Sequence, residues 1–137
     1  MAQVKALIGN IKGQPGKDGE KGKDGSENQI YSTDEQAIGT WVDGKPLYRK
    51  CFSYTHSENN GAEVIANLTP YNIDFICDLY GGCLFIQNGN QFYTAIPVAW
   101  SKDYWIAPYV VKATKNLELN SNVACEGTII VEYTKTT

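Results

Sequence analysis

The chain has 137 residues, enough for one compact domain with an appendage, and its 12 Lys and Arg against 15 Asp and Glu leave a net charge of −3. No apolar run approaches the roughly 18 residues of a membrane helix, which argues against membrane insertion, and residues 1–12 lack the apolar core of a secretory leader. Residues 26–137 carry 7 basic against 12 acidic side chains, a balance that repels a phosphate backbone and sets nucleic acid aside as a partner.

Glycine and aromatic residues divide the chain in two. Six of the 13 glycines fall in the first 25 residues, whereas all 16 aromatic residues lie at Tyr31 or beyond. The first stretch therefore has no side chains from which to build a globular core. The second, residues 26–137, is long enough to bury about two-thirds of its unfolded surface.

Taken in chain order, residues 1–12 place Val4, Ile8 and Ile11 on one helical stripe, with Leu7 beside it. One heptad is too short to stand alone, because helix nucleation is costly. The segment reads either as the stub of a coiled coil or as an unstructured start. Residues 13–25 read GQPGKDGEKGKDG, with Gly13, Gly16, Gly19, Gly22 and Gly25 at every third position. That is the Gly-X-Y period of a collagen triple helix, whose axis admits no side chain larger than hydrogen. At about 3.1 Å per residue this neck spans about 40 Å. With Pro15 its one proline, so short a triple helix needs a trimeric domain at one or both ends to hold three chains together.

Residues 26–137 are rich in Val, Ile, Thr and aromatics and are punctuated by turn dipeptides, the pattern of an all-β head. Asp43-Gly44 predicts a two-residue hairpin between strands at 39–42 and 45–55, Asn60-Gly61 a second, and Asn88-Gly89 a third joining 83–87 to 91–96. Further strands are expected at 104–112, 116–119 and 128–133. Thr33 with Gln36 forms a capping-box pattern that predicts one helical turn before the first hairpin. Pro46 suggests an edge strand. Trp41 and Tyr48 are placed to meet across the first hairpin, as scaffold rather than site. The expected architecture is a β-sandwich or jelly roll.

Residues 31–50, YSTDEQAIGTWVDGKPLYRK, resemble a segment that opens the small C-terminal β head of tail-fibre and receptor-binding proteins of bacteriophages and prophages, especially those infecting Gram-positive bacteria. The close of the chain, Ile129 to Thr136, is similar to the strand that often ends those heads, and residues 72–81 are similar to their middle strand. The most specific part is residues 38–50. The resemblance implies a homotrimer at the distal end of a virion adhesion device, assembled in the host cytoplasm with other tail or baseplate proteins. It supplies no shared set of ligand-binding residues.

Little in the residues points to catalysis. His56, the one histidine, lies beside Ser57 and Glu58 and is expected on an exposed loop. Asp74 and Asp78 would share one face of a strand about 13 Å apart, too far for a paired-carboxylate glycosidase. No metal-ligand pattern or cofactor motif is present. Cys51, Cys77, Cys83 and Cys125 have no CxxC spacing and read as four buried thiols, with a disulfide such as Cys77–Cys83 left open.

Binding is better supported. Trp100, Tyr104 and Trp105 surround Ser101, Lys102 and Asp103, combining apolar faces for sugar rings with polar groups for hydroxyls. His56, Asn59 and residues 120–122 are further polar loop tips. The expectation is therefore a non-enzymatic homotrimer with a start at 1–12, a collagen-like neck at 13–25 and an all-β head at 26–137, which contacts a bacterial cell-surface polysaccharide. Three rivals stand beside it: a structural tip or adaptor that binds no ligand, a cellular collagen-like surface protein with a complement-globular or tumour-necrosis-factor type of head, and a depolymerase.

Overall fold

In the computed structural model of the chain, the described residues are 30–57 and 61–136, and they form nine strands. These are β1 (Gln36–Thr40), β2 (Pro46–His56), β3 (Gly61–Asn67), β4 (Ile73–Gln87), β5 (Asn90–Ile96), β6 (Val98–Ser101), β7 (Tyr104–Val111), β8 (Asn116–Ser121) and β9 (Cys125–Lys135). They build a five-stranded sheet in the order β1-β2-β9-β4-β5 and a four-stranded sheet in the order β3-β8-β7-β6, both antiparallel. Strands β4–β5, β6–β7 and β7–β8 are hairpins of chain neighbours within one sheet, whereas β2 to β3 and β5 to β6 pass between the sheets.

The period of two that marks a half-buried strand is plainest on β9. Cys125, Ile129, Val131 and Tyr133 face inward and are buried, and Glu126 faces out. Leu117 and Leu119 on β8 and Ile106 on β7 meet them from the second sheet, so one core lies between two layers. Each such aliphatic side chain contributes about 1.5–3 kcal/mol by leaving water. A single 3-10 turn at Thr69–Tyr71 carries the chain from β3 to β4. The Gly-X-Y positions Gly13, Gly16, Gly19, Gly22 and Gly25, and the residues Asn59 and Asn60, lie outside the described residues.

The structure departs from several sequence expectations for identifiable reasons. Thr33 and Asp34 form a bend, and Gln36 already belongs to β1, so there is no capped helical turn. The loop at Asp43-Gly44 has three residues, not two. Trp41 N–H donates to Lys45 O at 2.8 Å, Gly44 N–H donates to Trp41 O at 2.9 Å, and positive φ falls on Gly44 but not on Asp43. That is a turn closed by a glycine bulge. The extra loop residue and a bulge between Ala37 and Gly39 set Tyr48 opposite Ala37 rather than near Trp41, and Tyr48 instead stacks on Tyr133. Pro46 is not on an edge strand: it is the first residue of β2, which is paired on both sides, a position where proline's missing donor does no harm. Gly61 opens β3 at φ +133, but β2 and β3 belong to different sheets, so this link is a crossover and no hairpin. Asn88 and Gly89, at φ 53 and 78, do form a two-residue hairpin, with Gln87 opposite Asn90.

Three more corrections concern reactive side chains. All four cysteines are free thiols, and Cys77 is only half-buried. Cys77 and Cys83 lie on the single strand β4, six residues or about 20 Å apart, far beyond disulfide reach. Two bulges, between Ile73 and Phe75 and between Ile76 and Asp78, reset the alternation, so Asp74 and Asp78 are not a matched pair on one regular face. Asp74 instead pairs with Lys45 at 2.6 Å.

The β4–β9 ladder, from Ile73 opposite Lys135 to Phe85 opposite Cys125, is the longest among the described residues. At two positions in its middle no side chain fits. A Cβ on Gly81 would lie 2.0 Å from Thr128 O, and one on Gly127 would lie 2.1 Å from Gly82 O, whereas a Cβ on the neighbouring Gly82 would meet open space. Gly81→Ala and Gly127→Ala should each lose about 3 kcal/mol, because the clash is with backbone that cannot move aside. Gly82→Ala should stay within about 0.5 kcal/mol of the parent. The midpoints of urea unfolding measure both, and equal stability for the Gly81 and Gly82 variants would contradict this packing.

Candidate functional site

The hairpin at Asn88-Gly89 sets Phe85 directly opposite Phe92, and their rings stack with centroids 5.2 Å apart. The chain then crosses from β5 to β6, the edge strands on the same side of the sandwich. A register break between Ala99 and Ser101 leaves Trp100 bulged out of the β6–β7 ladder. Trp100 turns onto Phe85, with centroids 4.8 Å apart, and onto Tyr104, at 5.6 Å and an interplanar angle of 4°. Four rings thus form one run, Phe92–Phe85–Trp100–Tyr104, contributed by four strands of both sheets. Phe85 is buried, while Phe92 at 44% and Trp100 and Tyr104 at 37% remain open to solvent. Trp100 engages two rings, whereas Phe92 and Tyr104 at the ends engage one each. Offset stacking of this kind adds about 0.5–1.5 kcal/mol per pair beyond burial and holds the rings rigid.

Two polar tips named from the sequence meet beside this ledge. Asn122 Nδ2 donates to Asp103 O, and Trp105 N–H donates to Asn122 Oδ1 at 3.1 Å, which ties the 101–103 turn to the end of β8. Asp103 N–H also donates to Ser101 Oγ at 3.1 Å. Lys102 and Asp103 are exposed on that turn.

The other candidates fall elsewhere. Trp105 follows Tyr104 on β7, so it points to the opposite face of the sheet, where Nε1 donates to Asn120 Oδ1 at 2.7 Å. It takes no part in the ring run. His56 is not on an exposed loop: it is 4% exposed, between the sheets at the end of β2. Its Nε2 lies 3.0 Å from Ser121 O and its Nδ1 lies 2.9 Å from Glu63 Oε1, so both ring nitrogens hold β2 to β8 and β3. A buried histidine clamped this way supports the fold. Asn59 is outside the described residues.

Two polar clusters were not singled out from the sequence. On the outer face of the larger sheet, Arg49 donates from Nε to Glu132 Oε2 at 2.9 Å, and Nη2 approaches the same oxygen at 2.9 Å. Tyr80 Oη donates to that oxygen at 2.5 Å, and the Arg49 guanidinium lies 4.2 Å from the centre of the Tyr31 ring. Burial, and then the hydrogen bond to Glu132, push the Tyr80 phenol above its ordinary range. Inside the sandwich, the hydrogen bond with the Cys125 thiol draws Cys83 below the usual thiol value against the effect of burial, while Cys125 is pushed up. Both thiols are buried. With β2 opposite β9, Arg49 pairs with Glu132 by register, a match visible only once the strand order is known. No group of three or more metal-ligating side chains occurs among the described residues.

No family model matches this chain, and no curated protein or solved structure matches it.

The Arg49–Glu132 pair is largely shielded, with side chains 9% and 13% exposed. Glu132→Ala should therefore lose about 3 kcal/mol, because it removes the carboxylate that the shielded guanidinium and the Tyr80 phenol both meet, and the double substitution Arg49→Met with Glu132→Leu should lose less than that single change. Chemical denaturation of the three proteins decides the point. A double variant as unstable as Glu132→Ala, or more so, would show that the charge is not what matters.

Proposed function

We propose that this chain is the neck and head of a homotrimeric bacteriophage or prophage tail protein, carried on the virion, whose head adheres to a saccharide on the bacterial surface. The observation that carries the proposal is the rigid ledge of Phe92, Trp100 and Tyr104 held open to solvent beside the polar 101–103 turn. Aromatic surfaces offer apolar contact to sugar rings, and neighbouring polar groups orient hydroxyls. The Gly-X-Y run at 13–25 and the resemblance of residues 31–50 to phage tail heads support the same reading. Three heads on one neck raise avidity through effective concentration, so a single head need not bind tightly.

We read the head as non-enzymatic, and the engagement of several of its acid and base groups in structure supports that reading. His56 lies between Ser121 and Glu63, Asp74 pairs with Lys45, and Glu132 accepts from Arg49 and Tyr80. Other tail or baseplate proteins are its expected structural partners.

Light scattering should give a mass three times the 15.2 kDa of the chain. Gly19→Ala should weaken the neck, because the axis admits nothing larger than glycine, while the thermal transition of the head is retained. Labelled protein should bind wall polysaccharide from at least one strain of a broad bacterial panel. A stable monomer at micromolar concentration would overturn the triple-helical neck, and a trimer that labels no cell or wall fraction would favour a purely structural tip.

A further inference from the structure

Resting on the adhesion reading, we infer that the recess at the Phe92 end of the ledge takes an uncharged saccharide and discriminates against anionic polymers such as those linked by phosphodiesters or built from uronic acids. The recess at the Phe92 end of the ring run has a volume of about 300 Å³, at the lower end of what ligand sites use. Its walls are aromatic and aliphatic, with Gln87 and Thr94 as the polar groups that line it besides the Tyr93 phenol. No acidic or basic side chain lines it. Three other recesses among the described residues differ in this respect: one carries Asp74, Lys112 and Lys115, another His56 and Glu126, and the third Glu126.

The placement follows from the strands. Thr94 lies opposite Cys83, Phe92 opposite Phe85, and Gln87 opposite Asn90, so alternate rows of the β4–β5 hairpin present their side chains on one face. The Gln87 amide both donates and accepts, and the Thr94 hydroxyl, which donates to Ala95 O at 3.2 Å, still accepts, so the pair can serve a sugar hydroxyl that does both. A carboxylate or phosphodiester only accepts, and taking its charge out of water is costly unless a cation pairs with it. This recess offers no such cation, and the acidic balance of residues 26–137 adds long-range repulsion. The chemistry of the lining therefore selects a neutral ring that lays an apolar face on Phe92 and directs hydroxyls to Gln87 and Thr94.

The test uses the intact chain and wall polysaccharide separated on an anion-exchange resin into unretained, neutral and retained, anionic fractions. Binding to the neutral fraction should change by less than about twofold between about 50 mM and about 500 mM NaCl, since no charge pair is there to be screened. Phe92→Ala and, separately, Gln87→Ala should each weaken it by about tenfold. Phe92 and Gln87 lie near the tip of an edge hairpin, and the Gln87 variant keeps the test usable if the Phe92 variant unfolds. Lys112→Ala, at a different recess, should leave binding unchanged. Binding to the retained fraction that falls steeply with salt would overturn this inference and leave the adhesion reading standing, as would neutral-fraction binding indifferent to both substitutions. Binding to neither fraction by folded trimer would overturn both.

Discussion

The rest of the structure depends on how closely β4 and β9 approach at Gly81 and Gly127. Each glycine Cα faces a carbonyl oxygen of the other strand at a distance that leaves no room for a Cβ. The contact is reciprocal, from Gly81 to Thr128 O and from Gly127 to Gly82 O, so neither strand can be relieved by shifting the other. β9 is the middle strand of the larger sheet, with β2 on its far side, and β4 carries β5. Loosening this ladder would therefore separate the two halves of the five-stranded layer. It would also disturb the inner face from which Ile129, Val131 and Tyr133 meet Leu117, Leu119 and Ile106.

The candidate ledge is built outward from that ladder. Phe85 lies on β4 four residues beyond Gly81 and points to the same inner face, where it is buried. Against this fixed ring lean Phe92, by hairpin register, and Trp100, by a bulge in the second sheet. Tyr104 then stacks on Trp100. Exposed aromatic side chains on a loop would lose conformational entropy on meeting a ligand. Rings already stacked on a buried neighbour have lost it during folding, which is the benefit of preorganisation for the proposed contact. The same order assigns Trp100 a dual part: it braces the run from the middle while exposing an edge.

How much of this was legible in the sequence can be seen in two turns. Asn88-Gly89 and Asp43-Gly44 look alike, since both supply a glycine for positive φ. In the first, Asn88 also adopts positive φ, the loop has two residues, and the pairing of Phe85 with Phe92 follows directly from counting outward. In the second, Asp43 does not, and its Oδ1 instead accepts from Lys45 N–H at 3.0 Å. One extra loop residue then moves every cross-strand partner, because side chains alternate with a period of two. The all-β class, most strand positions and the polar 101–103 tip were readable because they depend on local pattern. The burial of His56, the separation of Trp105 from Tyr104 and the Arg49–Glu132 match were not, because they depend on which strands become neighbours across the two sheets.

The distribution of polar chemistry over the head gives the functional proposal its physical sense. Catalysis needs acid and base groups that are partly free to exchange protons with a bound substrate. Here His56 bridges three strands, Glu132 accepts from both an arginine and a tyrosine, and Glu35 accepts from Lys135 at 2.7 Å and from Tyr133. These groups cross-link strands that are distant in sequence. What the ledge leaves open is aromatic surface with a neutral amide and hydroxyl close by. A surface of that kind suits recognition of the shape and hydroxyl pattern of a ligand, as the proposal requires. On the proposed adhesion reading each contact would have to persist, and three heads on one neck would supply the strength that one shallow recess lacks.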